Sequence, residues 1–325
     1  MISEENGGAA SEEMGVKSGL RTWRYLLIPV GLAILALLFY AEENWRGYRA
    51  WKTYQQQMAA RGQPIEPQLY VPPKVPDEDN FAMTPALAPL FDFFPGTQKW
   101  RDTNAPQLFS AISAKYDAAA GLVKPSPADR VNSWVRPRTD LEAWAWAFSQ
   151  GTNRHASRQE PVTPTNFTPQ QSATAVLQGL ADFDPVLNEL RQASHRPYAR
   201  FNIRYEEENP ASILLPHLAK LKNFCQVLQL RASAELALGR TTDAAQDLDL
   251  IFYLIETSRA EPTLISQLVR MAELQIALQP IAEGMGSWSL PQLQQLQQKL
   301  ETFDFLSDMQ RSLKAERALF GRGVI

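Results

Sequence analysis

Three histidines, one cysteine and two carboxylate clusters are the side chains of this chain that could do more than pack. His155, His195 and His217 stand far apart. None belongs to an HExxH or HxH pattern or has a Cys partner, so the ligand spacing of a zinc site is missing. His195 lies in the basic stretch SHRPYAR and reads as a surface residue. His217 follows Pro216 at the start of a helical pattern and reads as a polar cap-region residue. Cys225 falls inside a helical apolar pattern with no His or Lys arranged to activate it, and reads as a small buried hydrophobe. Asp77-Glu78-Asp79 lacks the further oxygen ligands and the Gly of a calcium loop, and reads as a solvated turn. Glu206-Glu207-Glu208 could take a cation or a basic partner, but a solvated loop is favoured. There is no GxSxG elbow, SxxK, phosphate loop or GxGxxG. No catalytic, cofactor-binding or metal residue is therefore nominated. Glycosidase carboxylates leave no local signature, so an enzyme stays open as an alternative.

The feature that places the chain is YLLIPVGLAILALLFYA, residues 25–41. As a helix it spans about 25 Å, the short end of what crosses a bilayer core. Trp23 and Tyr25 stand at one end and Tyr40 and Trp45 at the other, as in the aromatic belts of a spanning helix. Pro29 and Gly31 are tolerated in such a helix. A cleaved signal peptide would show a small-x-small site, and Leu37 to Glu42 shows none. A buried core helix is the other alternative. An uncleaved signal anchor fits best. The flanking cations tie, with Lys17, Arg21 and Arg24 facing Arg46, Arg49 and Lys52. A short cationic tail stays inside while a long segment translocates largely regardless of charge. The expected location is thus a bacterial inner membrane, N-terminus in, with the C-terminal bulk extracytoplasmic.

The 325 residues carry 32 Lys and Arg against 35 Asp and Glu, a net charge of −3. That balance argues against nucleic acid as a partner. A single Cys excludes an intramolecular disulfide.

Residues 1–24 form a disordered cytoplasmic tail, rich in Glu and Gly at its start. The anchor continues as a juxtamembrane helix to Arg61, with Gly62 where a cap belongs and an aromatic row at Trp45, Tyr48, Trp51 and Tyr54. Eight prolines between Pro64 and Pro95 make residues 63–98 a Pro-rich spacer, with Phe81 to Phe94 apolar enough to dock on the later domain. Residues 99–168 are short helices and loops. Among them Leu141, Trp144, Ala145 and Phe148 form one buried face. From Thr168 the chain is helical. Phe201 to Tyr205 (FNIRY) alternates like a strand but is expected as an extended connector. Leu218, Leu221, Cys225, Leu228 and Ala232 line one helix; Ala244, Leu248, Ile251 and Ile255 line the next. Residues 262–283 are apolar almost all round, with a narrow stripe of Ser266, Arg270 and Glu273, which predicts a helix in the middle of a bundle, kinked at Pro280. Leu293, Leu296, Leu300 and Phe303 are expected to face inward. A last helix carries Leu306, Met309, Leu313 and Phe320.

The stretch RASAELALGRTTDAAQDLDLIFYL, residues 231–254, resembles one tetratricopeptide-type hairpin, with Ala234 at the close approach and Gly239 at the turn. It lacks that family's aromatic and terminal Pro positions, and an ordinary antiparallel helix pair accounts for it as well. More broadly, ENWRGYRAWKTY after one anchor, PPKVPDEDNFAMTPALAPLF, LPHLAKLKNF and EPTLISQLVRMAELQIAL resemble a widespread bacterial family with one N-terminal signal anchor and a helical extracytoplasmic domain. The resemblance brings no activity with it. It implies further chain after a motif like KAERALF, so the C-terminal helices are expected to be incomplete.

The sequence therefore reads as an all-α protein: one transmembrane helix, a Pro-rich spacer, and an antiparallel helical bundle with tetratricopeptide-like pairs over 169–325. The expected function is a membrane-anchored, non-enzymatic interaction or scaffold module. Its partners are the lipid bilayer and an envelope protein, in an oligomeric state the sequence leaves open. An envelope hydrolase with dispersed carboxylates and a small-molecule sensor are the alternatives.

Overall fold

The computed structural model describes residues 13–94, 97–123, 138–151, 167–207 and 209–321; the side chains of 13–26 and 105–108 are excepted. His155 and Glu208, and the side chains of Trp23 and Tyr25, lie outside the described residues. The protein is all-α: the described residues form α-helices, single 3-10 turns and loops, with two isolated β-bridges and no strand. The chain divides into two compact units at Ile65/Glu66.

The first unit is built on α1, Glu13–Ala60. It is one helix long and apolar enough to cross a membrane. Residues 27–41 are not buried in the protein, which removes the buried-core reading of this run. The helix begins at Glu13, inside the stretch expected as a disordered tail. Once the apolar run is helical, backward extension adds a hydrogen bond per residue without a new nucleus. Tyr40 and Trp45 are exposed on it. Gly62, at φ 67°, closes its end. The Gln63 N–H bonds Met58 O at 2.9 Å and the Gly62 N–H bonds Ala59 O at 2.9 Å, a Schellman closure that a Cβ would strain.

The second unit begins with the Pro-rich stretch, which belongs to its core. Phe81, Leu87, Leu90 and Phe91 are buried there. Asn80 ties this stretch down: Asn80 Nδ2 donates to Arg200 O and Asn80 Oδ1 accepts from the Arg200 N–H, each at 2.8 Å. Phe81 N–H bonds Tyr198 O at 2.7 Å, so residues 79–81 lie beside 198–200. The adjoining FNIRY segment forms no strand and turns Phe201, Ile203 and Tyr205 inward.

Helices α2 (Ala105–Leu122), α3 (Leu141–Ser149), α4 (Pro169–Gly179) and α5 (Asp184–Ala193) lead into the centre. Asp140 caps α3, accepting from the Ala143 N–H at 2.9 Å. Thr168 and Gln171 form a capping box before Pro169 at α4. The central element is α6, Pro216–Ala237, packed on α4, α7 (Thr241–Thr257) and α8 (Leu264–Glu283). Leu221, Cys225, Leu228 and Ala232 of α6 meet Ala244, Leu248, Ile251 and Ile255 of α7, all fully buried. Gly239, at φ 75°, makes the turn, and the Arg240 N–H closes on Glu235 O at 2.8 Å. Helices α9 (Leu290–Glu301) and α10 (Phe305–Phe320) come last, and α10 lies along α8.

Two expectations fail here, in the same way. Helix α8 is not the apolar middle of the bundle. Its polar stripe of Ser266, Gln267, Arg270 and Glu273 faces inward, while Ile265, Leu268, Met271 and Leu278 are exposed. In α10 the inward residues are Asp308, Ser312, Ala315 and Leu319, while Leu306, Leu313 and Phe320 face out. Hydrophobic burial normally decides which face turns in. Here the polar faces of α8 and α10 are complementary in charge, and they find each other and α7 instead.

Candidate functional site

The polar seam begins at the end of α7 and the loop after it. Arg270 is fully buried, and every guanidinium nitrogen has an acceptor. Nε donates to Ile255 O at 2.9 Å, Nη1 to Gln267 Oε1 at 2.5 Å and Asp308 Oδ2 at 2.9 Å, and Nη2 to Glu256 Oε1 at 2.8 Å. Arg259 and Arg311 add to Asp308 from outside, at 3.3 and 3.2 Å. A buried charge persists only when paired and hydrogen-bonded to this extent. The seam therefore clamps α7, α8 and α10 in one register.

A second group sits beside it. His217 stands in the first turn of α6, as its place after Pro216 suggests, and is fully buried there. Its ring stacks on Phe201 with centroids 4.0 Å apart, and Nε2 lies 2.7 Å from Glu261 Oε1. Ser266 Oγ donates to the other Glu261 oxygen, and lies 2.6 Å from Thr263 Oγ. Histidine, glutamate and serine are thus together, but the carboxylate stands in the middle. A nucleophilic triad needs the imidazole between the hydroxyl and the acid. Here the serine proton is held by Glu261, and the group is closed off from solvent. This arrangement caps α8 and binds α6 to the α7–α8 loop.

Not every buried polar atom here is satisfied: His217 Nδ1 lacks a hydrogen-bond partner, and Glu273 lacks one at both oxygens. Glu273 is 1% exposed. Burial pushes its carboxyl up to about 8; Arg270 and Lys222 pull down, and Glu261 pushes up. The Cys225 thiol, also near Glu273, is held well above its ordinary range by burial. Cys225 is the inert buried thiol that its setting predicts. Elsewhere Asp247 is held by Arg191 and Arg231, and Glu283 accepts from Ser233 Oγ at 2.6 Å and the Thr139 N–H at 2.5 Å. These groups join helices to one another.

Two open hollows stand out on the surface of the described residues. One, of about 300 Å³, is lined by Arg196, Tyr198, Tyr253, Glu256, Arg259 and Arg311. Its guanidinia are engaged by Asn80 O, Glu256 and Asp308. The other, of about 380 Å³, carries two carboxylates, Asp92 and Asp102. Both are exposed; Asp92 faces Arg101 at 3.4 Å and Asp102 accepts the Asn104 N–H at 2.8 Å. Asp77-Glu78-Asp79 forms a turn, His195 is exposed, and no group of three metal-ligating side chains occurs among the described residues.

The feature that remains is the outer face of α8 and α10. The two helices run antiparallel, since Arg270 reaches Asp308 while the Leu264 N–H bonds Glu316 Oε1 at 2.8 Å. At about 100° per residue, Leu313 and Phe320 fall within roughly 60° of Glu316, the residue that touches α8. Ile265, Leu268, Met271 and Leu278 of α8 and Leu306, Leu313 and Phe320 of α10 are between 38% and 72% exposed, on sides of the two helices turned away from the seam.

No family model, curated protein or solved structure matches this chain. The reading of function rests on the geometry alone.

The seam left a trace in the sequence. Ser266, Arg270 and Glu273 recur at i, i+4 and i+7, a polar stripe on an otherwise apolar helix. Either stripe could have been the buried one. Glu256, Glu261 and Asp308, which decide the matter, lie on other elements.

Proposed function

We propose that this protein is a membrane-anchored, non-enzymatic interaction module of the bacterial envelope, which engages a protein through the outer face of α8 and α10. The observation that carries this reading is that face. Large apolar side chains left exposed on two neighbouring helices are what a protein-interaction surface supplies. Covering seven large side chains, each about half exposed, gains roughly 5–10 kcal/mol before the costs of association. The rigid seam beneath supports the same reading, because it holds both helices in fixed register. The hydrolase alternative is less supported, since both carboxylates of the 380 Å³ hollow are solvated. The sensor alternative would need an enclosed apolar cavity, whereas the hollows are open.

A photoreactive phenylalanine analogue at position 268 or 313 of the full chain should yield protein adducts in intact cells. The same analogue at exposed Glu301 of α9 should yield none. Absence of adducts at 268 and 313, or equal yield at 301, overturns the reading.

The inner-membrane placement, with the C-terminal bulk outside the cytoplasm, rests on α1 and its flanks. Leu32→Arg with Leu35→Arg places two charges mid-span, each at about 2.5–3.5 kcal/mol. The wild-type chain should resist alkaline carbonate extraction, and the double variant should be released. Equal retention would show that α1 is not the anchor.

A further inference from the structure

We infer that the hollow of about 300 Å³ bordered by residues 196–199, α7, the α7–α8 loop and α10 is a binding site for a phosphate monoester. Arg196, Arg259 and Arg311 hold its phosphoryl group, and Tyr198 and Tyr253 flank its organic part. The inference goes beyond the interaction reading and does not depend on it.

The first observation is spare donor capacity. A guanidinium carries five N–H groups. Arg196 Nη1 donates to Asn80 O at 2.8 Å, and its Nε and Nη2 have no acceptor among the described residues. Arg259 uses Nε on Asp308 and Nη1 on Glu256, which leaves Nη2. Arg311 uses Nη2 on Arg259 O and Asp308, which leaves Nε and Nη1. Each guanidinium is thus held on one side and open on another, which lowers the cost of ordering it around a ligand.

The second observation is charge. Glu256 lines the hollow, but Arg259 and Arg270 hold its two oxygens at 3.1 and 2.8 Å. Asp308 serves Arg259, Arg270 and Arg311 together. Asp304, at the start of α10, feels the charge of Arg259. Arg196 makes no ion pair among the described residues, even though the acidic turn Asp77-Glu78-Asp79 lies beside its loop. Four guanidinia therefore meet three carboxylates, and an anion restores the balance. One guanidinium fork satisfies a carboxylate. A phosphate monoester brings three terminal oxygens and about −1.5 to −2 charge near pH 7, which suits donors from three separate elements.

The third observation is the wall. Tyr198 is 48% exposed, yet its backbone is fixed: the Phe81 N–H bonds Tyr198 O at 2.7 Å and the Tyr198 N–H bonds Asp79 O at 3.2 Å. Tyr253 packs edge-on against Phe81 with centroids 5.0 Å apart. The volume is that of a small-ligand site, and the opening makes it a surface site, not an enclosed sensor cavity.

The test is calorimetry on the full chain in a neutral detergent at physiological ionic strength, where charge attraction alone is screened. The probes are phenyl phosphate, inorganic phosphate, benzoate and a short-chain phosphatidic acid. Phenyl phosphate should bind about tenfold more tightly than benzoate or inorganic phosphate. Arg196→Gln and Arg311→Gln should each weaken it about tenfold, the cost of a lost charge-assisted hydrogen bond. Both side chains lie at the surface, so the melting temperature should hold. Tyr198→Ala should bring phenyl phosphate down to the affinity of inorganic phosphate and leave inorganic phosphate unchanged, which a merely structural role would not do. Binding of phenyl phosphate alone supports a free monoester as the source, and binding of phosphatidic acid alone supports a lipid headgroup. Absence of binding by both at millimolar concentration overturns the inference. So does benzoate binding as tight as that of phenyl phosphate, or an affinity unchanged in both arginine variants.

Discussion

Glu273→Gln stabilises the folded chain by about 2–3 kcal/mol at pH 7 and flattens its stability profile between pH 5 and 8. The cause is the carboxyl held at about 8 by burial, against an ordinary value of 4.5. Between those values the folded state keeps a proton that the unfolded chain has released. Stability from this group is therefore complete below pH 4.5 and is lost as pH rises toward 8, at about 1.4 kcal/mol per unit. At pH 7 roughly 3 kcal/mol has gone. The groups that face Glu273 set this balance: Arg270 on its own helix and Lys222 on α6 favour the charged form, and Glu261 in the α7–α8 loop opposes it. Burial outweighs all three. An amide carries no charge, so Glu273→Gln keeps the shape and removes the dependence. Urea unfolding of the full chain in detergent, from pH 4.5 to 8.5, measures both profiles. A wild-type profile as flat as the variant's would show that Glu273 is solvated.

Arg270→Ala has the opposite effect and the larger one. Removing the guanidinium leaves Glu256, Asp308, the Gln267 carbonyl and Ile255 O without their central donor. Breaking a buried pair on one side costs about 3–5 kcal/mol. Arg270→Met separates charge from volume, since it fills much of the space and leaves Asp308 only its outer partners Arg259 and Arg311. Combining it with Asp308→Asn neutralises that carboxylate and should recover about 1–2 kcal/mol. The same denaturation experiment reads all three. A loss below 1 kcal/mol for Arg270→Ala would mean that the seam is not what fixes α8 against α10.

The contrast between these helices and the α6–α7 pair shows where sequence reading works. In α6 and α7 the apolar period is single: Leu221, Cys225 and Leu228 leave no rival face, and Gly239 marks the turn. Helix α8 offers two candidate faces. Its apolar side is the larger, and amphipathicity would bury it. What buries the other side is a set of carboxylates 9 to 14 residues upstream in Glu256 and Glu261 and 38 residues downstream in Asp308. Each of these looks like an ordinary charged surface residue in its own segment. The burial of His217 escapes a local reading for the same reason, because its partner Glu261 is 44 residues away.

The sequence by itself determined the all-α class, the apolar span with its aromatic flanks, the glycine closures, and the α6–α7 hairpin. All of these follow from periodicity, composition or backbone conformation over a few residues. Only the tertiary structure decided that α8 and α10 meet through their polar faces and turn their leucines outward. Charge pairing between distant elements carries no local period, so nothing within a helical window could have shown which stripe the fold would bury.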